Sequence, residues 1–298
     1  MTEVIQLAID TTLKSDEVLR QVFLFLSLCD SEPVPIQAAV NFVKNRTSRQ
    51  TEEMIKAKIL NCSLIMRLYS EDEAPDYLRV HSVVHEVLKK MPLMEMTEKR
   101  ECLSVAVKVF LSLIESEHHR LLESGNVCVM LRRIATHCQA LYEILTSTFP
   151  AKVVWVKELA PLISPDKIVS WLSSTATVFH NISNSTNAIL FSTSACDFVQ
   201  YLSNTREGDF IKASVFYAQG LTLSMTCQYK SSLLNHEEAA KIYTASNNRK
   251  AVGESYNNLG NVYNRLGLYN KAKEYHEKAL AIKKKDFSRR RCQCCIKL

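Results

Sequence analysis

The sequence predicts a mainly α protein: a small helix-and-hairpin module, a helical connector, then a short solenoid of repeated helical hairpins. Three observations carry this. Only six glycines and seven prolines interrupt 298 residues, which favours long helices. Near the C-terminal end, a pattern of small and aromatic residues returns when the chain is slid back by forty positions. Between residues 63 and 81 the apolar period changes from helical to alternating.

Taken in order, residues 16–29 carry Val18, Leu19, Val22, Phe23, Phe25, Leu26 and Leu28, a stripe too wide for a surface helix. That helix should be buried. Pro33 and Pro35 end it and start a second over 36–44. A third covers 51–61, with Thr51 as N-cap and Glu52 and Glu53 in its first turn. Segments 63–70 and 77–81 flank the acidic turn 71–76 and read as a β-hairpin, after which 81–91 returns to helix. Three helices followed by a hairpin resemble a winged helix, and residues 1–92 are assigned to that domain. Its wing tip is Glu71-Asp72-Glu73 and its third helix opens on two glutamates, the wrong charge for reading DNA. Helices over 98–116, 127–148 and 152–162, the first two amphipathic, form a connector, residues 93–165.

Two stretches, Arg79-Val80-His81-Ser82-Val83-Val84-His85 and residues 131–141, resemble the winged-helix region of NB-ARC and NACHT (STAND) signalling ATPases. In that family a Met-His-Asp type motif lies at this strand-to-helix junction and its histidine reaches the bound diphosphate. His81 matches it, and Ser82 replaces the aspartate. The resemblance therefore implies a nucleotide-sensor remnant at His81, operative only with a partner nucleotide-binding domain. No GxxxxGK[ST] loop occurs in these 298 residues, so no phosphate cradle accompanies it. By its chemistry alone, His81, like His85, reads as a hydrogen-bonded structural group.

In the C-terminal pattern, counted from Gly253, Tyr256, Leu259, Gly260, Tyr263, Gly267, Tyr269, Ala272, Ala279 and Leu280 fall where a helix–turn–helix repeat of about 34 residues needs them. Gly260 and Ala272 permit close helix approach, the aromatic residues fill the space around it, and Gly267 makes the turn. This resembles a tetratricopeptide repeat, with His276 standing where an aromatic or large apolar residue is usual. The copy forty residues upstream places Phe216, Gly220, Leu223, Tyr229, His236 and Ala239 on Tyr256, Gly260, Tyr263, Tyr269, His276 and Ala279. Its longer period is like that of kinesin light chain and nephrocystin repeats. A degenerate third copy, carried by Ala176, Phe179, Ala188 and Ala195, completes a repeat domain at 166–285. The resemblance implies a groove for a partner peptide, with Glu254, Asn257, Asn261, Asn264 and Arg265 facing it in the last repeat. Tyr217, Leu221, Ser224 and Met225 hold the matching positions one repeat earlier. Carboxamides suit the main-chain amides of a bound peptide, and Arg265 can add a carboxylate contact.

The formal charge of +6 sits wholly in the stretch from Lys283 onward, seven basic residues against Asp286, so residues 1–282 are neutral and nucleic acid is not an expected partner. Ten scattered cysteines without a leader read as free thiols in the cytoplasm. His118, His119 and His137 lack partners at metal-ligand spacing and read as surface or capping groups. No cofactor, metal or nucleophile constellation emerges, and no enzyme is expected. Residues 286–298 form a basic, cysteine-containing tail in which Cys295 to Leu298 has the outline of a prenylation box; membrane attachment would require that lipidation. Alternatively the chain is a piece of a longer protein. Leu280 and Ile282 are then expected to face outward and to promote self-association. The reading is a non-enzymatic adaptor that binds a protein partner; the alternative is the regulatory, C-terminal portion of a STAND ATPase.

Overall fold

A computed structural model describes residues 2–47, 50–68, 76–120 and 128–296. The chain divides into two compact units, Met1–Trp171 and Leu172–Leu298.

The first unit opens with a helix the sequence did not announce, α1 (Thr2–Ser15). Its apolar residues form no single inward stripe: Ile9 is buried, whereas Val4 and Leu7 are exposed. Helix α2 (Glu17–Ser27) is capped by the Asp16 carboxylate, which accepts from the amides of Val18 and Leu19 at 2.8 and 3.2 Å. Then come β1 (Val34–Pro35), α3 (Ile36–Arg46), α4 (Glu52–Asn61) capped by Thr51, β2 (Ile65–Leu68), β3 (Tyr77–Val80) and α5 (Ser82–Lys90). The strands pair antiparallel in the order β1-β3-β2, with Val34 opposite Leu78 and Ile65 opposite Val80. The hairpin was legible, but β1 was not. Two residues, one of them a proline held at a sheet edge, show no alternation to read. The wing tip Glu71-Asp72-Glu73 lies outside the described residues.

Helices α6 (Met96–Arg120), α7 (Cys128–Thr148) and α8 (Lys152–Leu159) complete this unit. They share its core instead of standing apart from it. Phe25 of α2 lies 5.0 Å from the Phe42 ring and 5.8 Å from the Phe110 ring of α6. Arg46, nearly buried, reaches Glu98 and Glu101 of α6 at 3.4 and 3.1 Å, and Arg20 meets Glu98 at 2.7 Å. The segments the sequence separates at residue 92 are therefore joined by an aromatic cluster and an ionic network.

His137, expected at the surface or as a cap, is completely buried. Its Nδ1 accepts the Asp30 amide at 3.1 Å, its Nε2 lies 3.3 Å from the Pro33 carbonyl, and its ring stacks on Phe110. His85, also buried, places Nε2 3.1 Å from the Cys29 carbonyl. Two histidines thus hold the α2–β1 loop, whose backbone groups have no strand or helix to pair with. Burial pushes His137 down to about 4 and lowers His85 as well. The side chains of His118 and His119 lie outside the described residues.

In the second part of the chain, α9 (Pro165–Asn181) crosses the division between units and is followed by α10 (Ser185–Phe198) and a 3-10 turn, Val199–Tyr201. Then follow α11 (Arg206–Met225), α12 (Tyr229–Ala245), α13 (Arg249–Arg265) and α14 (Tyr269–Ile296). The sequence ended the last helix near 284 and read a tail beyond it. The helix instead continues to Ile296, because no glycine or proline follows Gly267 to break it. The side chain of Cys295 lies outside the described residues.

Candidate functional site

Four helices of the second unit end in the same way. Ser183, Cys227, Asn247 and Gly267 have φ of 60, 59, 56 and 73°, all in the left-handed region. After each, an amide reaches back to close the helix: Asn184 to Phe179, Gln228 to Leu223, Asn248 to Tyr243 and Leu268 to Tyr263, at 2.8–3.0 Å. These are Schellman turns. Three of them turn one helix back on the next, α9 to α10, α11 to α12 and α13 to α14, Asn247 links α12 to α13, and only the last turn uses glycine. Cys227→Gly and Asn247→Gly should each raise stability by up to about 1 kcal/mol, because an L side chain strains this conformation. Urea midpoints check this; a fall in either would show that the side chain contributes more than its strain.

Within the α11–α12 and α13–α14 hairpins the helices meet through a ring laid on a glycine. A Cβ on Gly220 would stand 2.7–2.9 Å from the His236 imidazole, and one on Gly260 2.7–2.8 Å from that of His276. The histidine that departed from the usual pattern is thus matched to the small residue opposite it. Ser232 Oγ donates to the Gly220 carbonyl at 2.7 Å, closing the same contact. Ala213, Ala239, Tyr243 and Val252 form the core between hairpins, with Phe216, Tyr217, Tyr256 and Ile282 packed on it. Ile282, expected on the outer edge, therefore belongs to the interior beside Gly253. Leu280 remains half exposed.

The first-position helices leave an open polar cleft of about 700 Å³ lined by Leu221 and Ser224 of α11, Asn258, Asn261, Asn264 and Arg265 of α13, with His180, His236, Val262 and Tyr269 around them. Of the residues the sequence placed in a groove, Leu221, Ser224, Asn261, Asn264 and Arg265 meet here. Glu254, Asn257, Tyr217 and Met225 are not in its lining. Tyr217 turns into the inter-helix packing, its ring edge on His236 at 5.7 Å and its hydroxyl beside Asn258; burial raises its pKa to about 12. Glu254 lies 3.9 Å from Lys250, one turn earlier on the same helix. Met225 Sδ lies 3.0 Å from His180 Nδ1. Sequence reasoning missed Asn258 and His180. Asn258 adjoins Asn257 and differs only in helix rotation, and His180 lies on α9, where the sequence pattern is weakest.

At the back of the cleft His236 is fully buried, and neither ring nitrogen has a hydrogen-bond partner; burial pushes it down to about 4. His180 is half-buried and lowered by the same cause. Elsewhere, His81 is exposed at the start of α5, where its Nδ1 accepts the Val83 amide at 3.3 Å and caps the helix. No group of three or more His, Cys, Asp or Glu able to hold a metal occurs among the described residues. None of the described helices is long and apolar enough to cross a membrane.

Hairpins joined by left-handed turns, close-packed on glycine and opening onto a shared face, define a tetratricopeptide-repeat array. Residues 211–285 match the tetratricopeptide repeat family model, so the chain contains these repeats. Among solved structures, a signal transduction ATPase with numerous domains (STAND) protein with a tetratricopeptide repeat sensor, from Pyrococcus horikoshii, is similar at 16% identity with a TM-score of 0.36. The match covers 94% of this chain and 46% of that one, so the chain spans about half the length of that protein. No curated protein matches the sequence.

Proposed function

We propose that the chain is a non-enzymatic adaptor that captures an extended segment of a protein partner in the cleft between α11 and α13. The observation that carries this is the run Asn258, Asn261, Asn264 and Arg265 along one helix, opposite Leu221 and Ser224 of the preceding repeat. Amides offer a donor and an acceptor to main-chain groups of any sequence, and Leu221 gives an apolar wall for one anchoring side chain. Asn261 and Asn264 are exposed, so removing their amides should leave the fold intact. The Asn261→Ala, Asn264→Ala double variant should lose about tenfold or more in partner affinity at about 0.5–1.5 kcal/mol per amide contact, with unchanged helical circular dichroism. Equal capture of a partner by the double variant and the parent would reject this cleft as the site.

A second reading concerns the first unit. Its order of helix, strand, two helices and hairpin, with sheet order β1-β3-β2, supports a winged-helix module. An exposed His81 at the β3–α5 junction favours a role as the regulatory portion of a signalling ATPase. On that reading a nucleotide-binding domain must come from outside these residues, and His81→Ala would alter the nucleotide response of the assembled protein. A response unchanged by His81→Ala, with ADP bound as tightly, would leave His81 as a helix cap only.

A further inference from the structure

A second groove, of about 630 Å³, opens between α12 and α14 on the other side of α13 from the cleft. Leu259, which lines it, and Asn261 of the cleft differ by about 200° of helix rotation. Ala240, Ala245 and Leu259 make the lining apolar, and the Tyr256 and Tyr275 rings stand beside them edge to face at 5.8 Å. Tyr263 stacks on Tyr275 at 5.3 Å and fixes that ring. Two charged residues complete the groove. Lys241 is answered by Glu238 at 3.1 Å, whereas Glu237, half-buried, forms no ion pair among the described residues. Burial, and then the Glu237 charge, raise the pKa of Tyr275, so this carboxylate stands near that phenol. Aromatic walls beside an unanswered carboxylate suit an apolar side chain flanked by cations.

The chain itself contains such a segment. Phe287 stands between Lys283-Lys284-Lys285 and Arg289-Arg290-Arg291, in the stretch that carries the whole net charge. We propose that the groove receives this basic segment from a second copy of the chain, with Phe287 against Leu259 and the tyrosines and an arginine on Glu237. A copy cannot fill its own groove. Tyr275 and Phe287 belong to one helix, α14, which runs unbroken from Tyr269 to Ile296, and the helix between them spans about 18 Å. Arginine matches Glu237 because a guanidinium presents paired donors in one plane to a carboxylate. Residues 1–282 carry no net charge, so the body of one copy does not repel the basic segment of the other. Groove and segment are different surfaces of the same chain, and two copies that exchange segments close as a two-fold pair. The cleft between α11 and α13 takes no part in this pairing, which therefore stands whether or not a peptide binds there.

Sedimentation of the full chain under reducing conditions, at up to about 100 μM, measures the pairing. A dimer is expected at about 50 mM salt, weakened about tenfold or more at about 500 mM because its contacts are ionic. Glu237→Gln keeps the shape of the side chain and should weaken the dimer about tenfold or more, since a reciprocal pair loses the contact twice. Phe287→Ala lies beyond the repeats in the chain and should weaken it about as much. A synthetic peptide of residues 283–298, its cysteines replaced by serine, should dissociate the dimer when added in excess, and its Phe287→Ala form should not. A dimer indifferent to both Glu237→Gln and Phe287→Ala would overturn the proposal by placing the contact elsewhere. A monomer at every concentration would overturn it too; were that monomer still to bind the free peptide, the groove would belong to a basic segment of another protein.

Discussion

Replacing His137 with alanine is expected to cost about 3–5 kcal/mol, enough to open the first unit. The change removes a ring stacked on Phe110 and leaves the half-buried Asp30 amide and the buried Pro33 carbonyl without these partners. Acid should reproduce part of this loss. Folding lowers the pKa of His137 from the usual 6.5 to about 4, so between those values the unfolded chain binds more protons than the folded one. Stability therefore rises with pH across that window, and it falls as pH drops from about 6.5 to about 4, by roughly 3 kcal/mol for one such group. His85 shifts in the same direction and adds to the slope. Hydrogen exchange in the α2–β1 loop, followed at pH 7 and pH 4.5, should show protection lost on acidification. His137→Gln, which keeps an acceptor and a donor, should retain protection at pH 7 and flatten the pH dependence. A parent protein whose loop exchange is indifferent to pH would remove the histidine clamp from the account.

Gly220→Ala is expected to destabilise the repeat unit by about 1–3 kcal/mol, although alanine is the better helix former by about 1 kcal/mol. The new methyl would stand under 3 Å from the His236 ring, and that ring has nowhere to go because it is wholly buried. His236→Ala alone should cost about 2–4 kcal/mol through the cavity it leaves. Combined, the two changes should be less harmful than their sum by about 0.5–3 kcal/mol, since the methyl then occupies space the ring vacated. Chemical unfolding of the four proteins measures this coupling. Strict additivity would mean that glycine and histidine do not meet in the folded chain, and the pairing offered for both repeats would fail.

What the sequence determined by itself is what local chemistry enforces. The small and aromatic pattern around Gly260 and its copy around Gly220 announced two helical hairpins, because a close helix contact admits few residue types. Thr51 with two following glutamates marked a helix start, and the change of period over 63–70 and 77–81 marked a hairpin, found at 65–68 and 77–80; each signal is carried by neighbours in the chain. Only the tertiary structure decided the rest. Strand β1 exists because β3 offers an edge to two residues that have no pattern of their own. His137 is buried because the Asp30 amide and the Pro33 carbonyl, over a hundred positions away, need an acceptor and a donor respectively. Ile282 turned inward and Asn258 took the place expected of Asn257 for one common reason. Adjacent helix positions differ by about 100° of rotation, and packing against the neighbouring helix, which no local pattern encodes, sets which of them faces the cleft.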